Sequence, residues 1–272
     1  MPNPMFNEST VQRASSTWAP PQAGTDYFPP VTDGPVTPWQ AEAMTVKGTI
    51  SATAVLFTLF LASAAVGWTV TESPSVDPIT GATQFQFPML AWVGVAIGFV
   101  CVLGMWFKPG LAKLFGPVYA LAQGFFVGAL SKMYESFYDG IVVQAAGATI
   151  AVFFVMLTLY RTRIIKVTER FRRVVIAATL GVMLLYGVSF IISLFGGNVS
   201  FLSSPSLLGI GFSILVAGLA AFNLALDFDL IERGTKEGLA KDFEWYAAFG
   251  LLVTVVWLYL EMLRLLAKLR QN

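Results

Sequence analysis

Carboxylates supply most of the chemistry open to this chain, and they are unevenly spread. Seven of its sixteen acidic residues fall within 227–261: Asp227, Asp229, Glu232, Glu237, Asp242, Glu244 and Glu261. There is no histidine, so the commonest general base and transition-metal ligand is missing. A single cysteine, Cys101, excludes a disulfide within the chain and a cysteine-based zinc site. What remains is proton exchange at carboxyl groups and the binding of hard cations by their oxygens.

Spacing sorts these acids. Asp229 and Arg233 stand four apart, as do Glu237 and Lys241, the geometry of ordinary helix-surface ion pairs. Glu261 has Arg264 three residues on. Asp227 has no cation three or four residues away in either direction, and Asn223 lies one turn before it on the same helical face. An acid at membrane depth costs several kcal/mol unless paired or wetted, and by default it marks a pathway. Asp227 is therefore the sharpest candidate for an ion or proton pathway, against the plainer reading of a solvated helix end.

The elements that must position these acids are membrane spans. The chain is 56% hydrophobic and 12% charged, where a soluble domain carries about 25% charged residues. A spanning helix needs roughly 20 apolar residues. Residues 48–71 carry no charge and predict the first span; others follow at 87–107, 113–132 and 139–161. Residues 174–226 hold no charge, too long a run for one helix. Phe195-Gly196-Gly197-Asn198 and Ser203-Ser204-Pro205 divide it into spans at 174–195 and 207–228. A last apolar run covers 245–262 and contains Glu261. Trp68, Trp92, Trp106 and Trp257 fall near predicted interfaces, as anchors do. Gly94 and Gly98, and likewise Gly124 and Gly128, have the four-residue spacing of close helix contacts, within one bundle or at a dimer seam.

Residues 1–46 are polar and proline-rich and predict a disordered cytoplasmic tail ahead of a transmembrane bundle at 47–272. The first apolar run starts too late for a signal peptide. With the N-terminus inside, thirteen lysines and arginines face the cytoplasm and four lie outside, so the positive-inside rule sets the N-terminus in the cytoplasm. A re-entrant last segment would move Arg264, Lys268 and Arg270 inside as well. The expected fold is an all-α polytopic bundle of seven spans, with six plus a re-entrant segment as the alternative.

Three segments carry a resemblance. Val118-Tyr119-Ala120-Leu121-Ala122-Gln123-Gly124-Phe125-Phe126-Val127-Gly128 resembles the third span of the Bax inhibitor motif family, in its bacterial type. Ala221-Phe222-Asn223-Leu224-Ala225-Leu226-Asp227 resembles the end of that family's sixth span, and Leu258-Tyr259-Leu260-Glu261-Met262-Leu263-Arg264 its last helix. The resemblance runs from about residue 45 onward and leaves the tail without a counterpart. It implies a bundle whose last helix is surrounded by the others, in a bacterial plasma membrane, acting as a pH-sensitive calcium leak. Two acids would share a proton and gate the pore, because two close carboxylates in a low-dielectric site cannot both ionise cheaply and titrate as a unit.

The resemblance implies Asp227 as one acid and leaves its partner open. The Leu-Tyr-Leu match gives Glu261, which with Asp227 would also hold calcium. Depth favours Glu244, since Glu261 lies 17 residues, or about 25 Å, further along the helix. Matching the Leu-Arg ending instead sets Thr254 there, and the pair is lost. Gln123 stands where an acid is frequent, and Lys108 where a basic group is expected, so both join Asn223 as supporting residues.

Several classes are thereby set aside. Net charge is +1, which gives no field for nucleic acid. The Gly-x-Gly-Asp motif of intramembrane aspartyl proteases is missing, and a serine mechanism lacks its histidine. No enzyme activity and no resident cofactor are expected, with calcium as the ion carried. The competing reading is a regulator without transport that binds a membrane partner, such as a membrane-anchored AAA protease, as a monomer or a dimer.

Overall fold

The computed structural model describes residues 43–72, 74–76, 83–84, 87–197 and 204–271. The tail expected at 1–46 falls, up to residue 42, outside the described residues. In chain order the elements are α1 (Val46–Val70), a two-residue antiparallel pair β1 (Ser75–Val76) and β2 (Thr83–Gln84), α2 (Met89–Phe107), α3 (Ala112–Phe137), α4 (Ile141–Arg161), α5 (Glu169–Leu194), α6 (Leu207–Lys236) and α7 (Phe243–Arg270).

Local chemistry sets several of the helix ends. Thr45, Thr168 and Ser206 accept hydrogen bonds from Gly48, Phe171 and Gly209 N–H groups, each satisfying one orphan donor at the start of α1, α5 and α6. Gly238 stops α6 with φ +66°, a left-handed turn that glycine adopts without a Cβ penalty. Because the helix ends there, Glu237 and Lys241 do not form the helix pair their spacing suggests. Lys236 bonds Glu232 instead, from within the last turn.

All seven helices are long and apolar enough to cross a membrane. Large apolar side chains such as Leu61, Trp92, Phe99, Phe154, Leu184, Ile191 and Leu215 point outward. So much exposed hydrocarbon requires an apolar solvent. The chain is an integral membrane protein.

Inside the bundle α7 is the central helix, packed against α1, α3, α4 and α6. Ala248, Phe249, Leu252 and Val256 meet α1 and α3, while Leu251 and Leu258 meet α4 and α6. Trp257 packs among these side chains rather than serving as an interface anchor. Near its start, α7 is tied by Glu244 to Thr45 at the head of α1. At its other end Arg270 donates to the Asp139 carbonyl beside the head of α4, and Lys268 to the Gly209 carbonyl near the head of α6. One unbroken helix of 28 residues thus runs the length of the bundle. The last segment is long and apolar enough for a full span, as the seven-span reading expects.

The small residues explain how closely the helices approach. A Cβ at Gly124 or Gly128 would run into the Phe60 or Ala64 carbonyl of α1, and one at Gly94 would lie 2.6 Å from the Ala122 carbonyl of α3. Gly98 makes room for the Gln123 side chain. All four glycines are used in contacts within the bundle.

Candidate functional site

Asp227 is carried by α6 where that helix meets α7. Its Oδ1 lies 3.6 Å from the Cβ position of Gly250, an ordinary van der Waals distance that sets the carboxyl against this stretch of α7. One turn on, the Thr254 hydroxyl is in hydrogen-bonding reach of the same carboxyl, and it also lies 3.1 Å from the Gly250 carbonyl. The opposite oxygen, Oδ2, is buried without a hydrogen-bond partner. Gly250 and Thr254 sit about 10 and 16 Å along α7 from its start.

Glu261 lies on α7 seven residues past Thr254, about 10 Å further along. It is almost wholly buried, at 1% exposure. Its Oε1 is held by Arg264 at 2.9 Å and by the Tyr186 hydroxyl of α5 at 3.0 Å. Arg264 also donates to that hydroxyl and lies over the Tyr186 ring, so cation, ring and carboxylate form one cluster. Oε2 has no partner. Asp227 Oδ2 and Glu261 Oε2 are the buried side-chain oxygens left unbonded among the described residues. One belongs to Asp227, the acid the sequence resemblance implies, and the other to Glu261, one of the candidates for its partner.

The two do not meet, however. Thr254, not an acid, stands against Asp227, so the shared-proton pair expected with Glu261 or Glu244 is not formed. Glu244 lies six residues before Gly250 on α7 and is occupied as a cap. Its Oε1 accepts both the backbone N–H and the hydroxyl of Thr45 at 2.9 Å. Gly48, which has no Cβ, lets the carboxylate sit over the first turn of α1, where the helix dipole favours a negative charge.

The remaining candidates other than Lys108 have structural partners. Asp229 is bonded by Arg172 of α5 and by Arg233. Asn223 turns to α5, donating to Thr179 as well as to the Leu219 carbonyl. Gln123 fills the notch at Gly98 and reaches the Gly94 carbonyl at 3.4 Å. Lys108 is exposed at the end of α2.

Two members of this polar track were not picked out from sequence. Tyr186 was one hydroxyl in a charge-free run, and its partner lies 75 residues away. Lys268 falls beyond the last apolar run of 245–262. It is in fact buried, donating to the Gly209 carbonyl and to Ser213.

A resident calcium ion shared by Asp227 and Glu261 does not fit this arrangement. Calcium takes about 6–8 oxygen ligands around one centre. The two carboxyls are separated along α7, and no cluster of three acidic, cysteine or histidine ligands occurs among the described residues. Each acid can instead accept a proton, or a passing cation on the oxygen that has no partner.

A family model described as Bax inhibitor 1 like matches residues 3–271. The match extends through the tail that the sequence resemblance left without a counterpart. No curated protein matches the chain.

Proposed function

The chain belongs to the Bax inhibitor 1 like family, and from that premise we propose that it is a pH-sensitive leak for calcium or a similar cation. The observation that carries this reading is the pair of orphan oxygens, Asp227 Oδ2 and Glu261 Oε2, on the two long helices at the centre of the bundle. A buried polar atom without a partner costs free energy, and in lipid that cost is not relieved by water. A proton and a hard cation are the species that match a carboxylate oxygen.

In this reading Asp227 is the pH sensor. It has no cation beside it, and the hydroxyl of Thr254 is a neutral neighbour able to serve either protonation state. Glu261, clamped by Arg264, is a second station along α7. The proposed sidedness follows the positive-inside count, with the N-terminus and the basic connection between α4 and α5 in the cytoplasm. The membrane is the plasma membrane of a bacterium. The protein acts without catalysis or a resident cofactor. Its close-packing glycines are used internally, so a monomer suffices.

The test is calcium entry into liposomes holding only the purified protein, followed across neutral pH. Wild type should exceed empty liposomes and vary with pH, and Asp227→Asn should flatten that variation. Flux no greater than in empty liposomes would remove the leak reading and leave a regulator that binds a membrane partner.

A further inference from the structure

A groove of about 1000 Å³ opens between α1 and α4, with α6 and α7 as its floor. That is the top of the range of about 300–1000 Å³ typical of ligand pockets. Ile50 and Ala54 of α1 and Ile150 and Phe154 of α4 form its exposed walls, and Phe228 and Leu251 are buried beneath.

The polar residues along it offer nothing to an aqueous ligand. The hydroxyls of Thr49, Thr53 and Thr149 each bond the carbonyl four residues back in their own helix. Over most of its length the groove therefore presents hydrocarbon to whatever fills it.

One end differs. Arg161, Arg163 and Lys236 line the mouth with Glu232 and Tyr160. Glu232 is already bonded by Tyr160, Arg163 and Lys236. Three cations against one carboxylate leave the mouth positive, and no ion pair of Arg161 occurs among the described residues. Arg163 is also the one non-glycine residue among them with positive φ, at 60°. It follows the end of α4, where glycine is the usual occupant. A non-glycine residue held there carries backbone strain of the kind that clusters at functional sites.

We propose that this groove binds one anionic phospholipid, with an acyl chain along the walls and the phosphate on Arg161 and Arg163. Hydrocarbon walls leading to a net positive mouth match an acidic headgroup joined to an apolar tail. A zwitterionic lipid would gain the same wall contacts without the net attraction. The site is separate from Asp227 and does not depend on the leak reading.

The experiment is native mass spectrometry of the full chain from mild detergent, after exposure to phosphatidylglycerol or phosphatidylcholine, with melting temperature measured alongside. Wild type should retain one phosphatidylglycerol in preference to phosphatidylcholine. Arg161→Gln should weaken that retention roughly fivefold, the effect expected of one basic side chain near an acidic headgroup. Arg163→Gly removes a cation but relieves the left-handed strain. It should weaken retention similarly while melting no lower than wild type without lipid, a split that a merely structural arginine would not give. Ala54→Trp, which fills the groove from its lipid-exposed wall, should abolish retention with every charge intact. Equal retention of the two lipids, retention unchanged in Ala54→Trp, or binding that emerges only when residues 1–42 are removed would overturn the proposal. None of these readouts measures flux, so failure here is distinguishable from failure of the leak.

Discussion

The hydroxyl of Thr254 faces the carboxyl of Asp227 across the contact between α6 and α7, at the place a proton-sharing second acid would have to occupy. Thr254→Val keeps the shape and removes the hydroxyl. It should cost about 0.5–1 kcal/mol of stability, the scale of hydrogen bonds between membrane helices, and shift the pH profile of flux. Thr254→Glu builds the missing pair. Two adjacent carboxyls titrate as a unit with separated steps, so the single pH transition expected of wild-type flux should become two. Liposome flux across pH for both variants checks this, and an unchanged profile in Thr254→Glu would place the sensor elsewhere.

The same contact shows where sequence reading succeeded and where it stopped. Seven spans were legible because a hydrophobic run of the right length can satisfy its backbone in lipid only as a helix. Asp227 was legible because the absence of a cation three or four residues away is a local property. Its neighbour was not, because the packing of α7 against α6 decides which residue faces the carboxyl, and Thr254 lies 27 residues further along the chain. Sequence alone leaves Glu244 a pathway acid for a similar reason. Its partner, Thr45, lies 199 residues away.

Helix approach predicts a contrast between two glycines. A side chain at Gly128 would strike the Ala64 carbonyl, whereas Gly147 has nothing within 4 Å. Gly128→Leu should therefore lower stability by about 1–3 kcal/mol, the usual cost of overpacking. Gly147→Leu should melt like wild type in the same detergent. A thermal melt of both variants decides whether the α1–α3 contact or lipid bears on these faces.

The length of α7 predicts that the two termini lie on opposite sides of the membrane. Seven helices cross, and α7 reaches from the head of α1 to the head of α4. A reporter fused before Met1 should read as cytoplasmic and one fused after Asn272 as external, by the bias of basic residues. Two reporters reading on the same side would contradict the seven-span passage. Both on opposite sides but inverted would correct only the orientation.

The cluster of Glu261, Arg264 and Tyr186 allows a cycle of substitutions to separate pairing from burial. Arg264 lies 2.9 Å from Glu261, whose side chain is 1% exposed. Removing one partner of such a pair leaves a buried charge alone, a loss of about 3–5 kcal/mol, whereas replacing both with neutral groups is often nearly neutral. Arg264→Met should therefore be strongly destabilising, and Glu261→Gln combined with Arg264→Met should recover most of the loss. Tyr186→Phe keeps the ion pair and the ring beneath Arg264 while removing one hydroxyl, so it should cost only about 0.5–1.5 kcal/mol. Melting temperatures in a single detergent give the whole cycle. If the double variant is no more stable than Arg264→Met, the arginine contributes through packing against Tyr186. The charge of Glu261 would then be balanced elsewhere, and its role as a clamped station on α7 would fall with it.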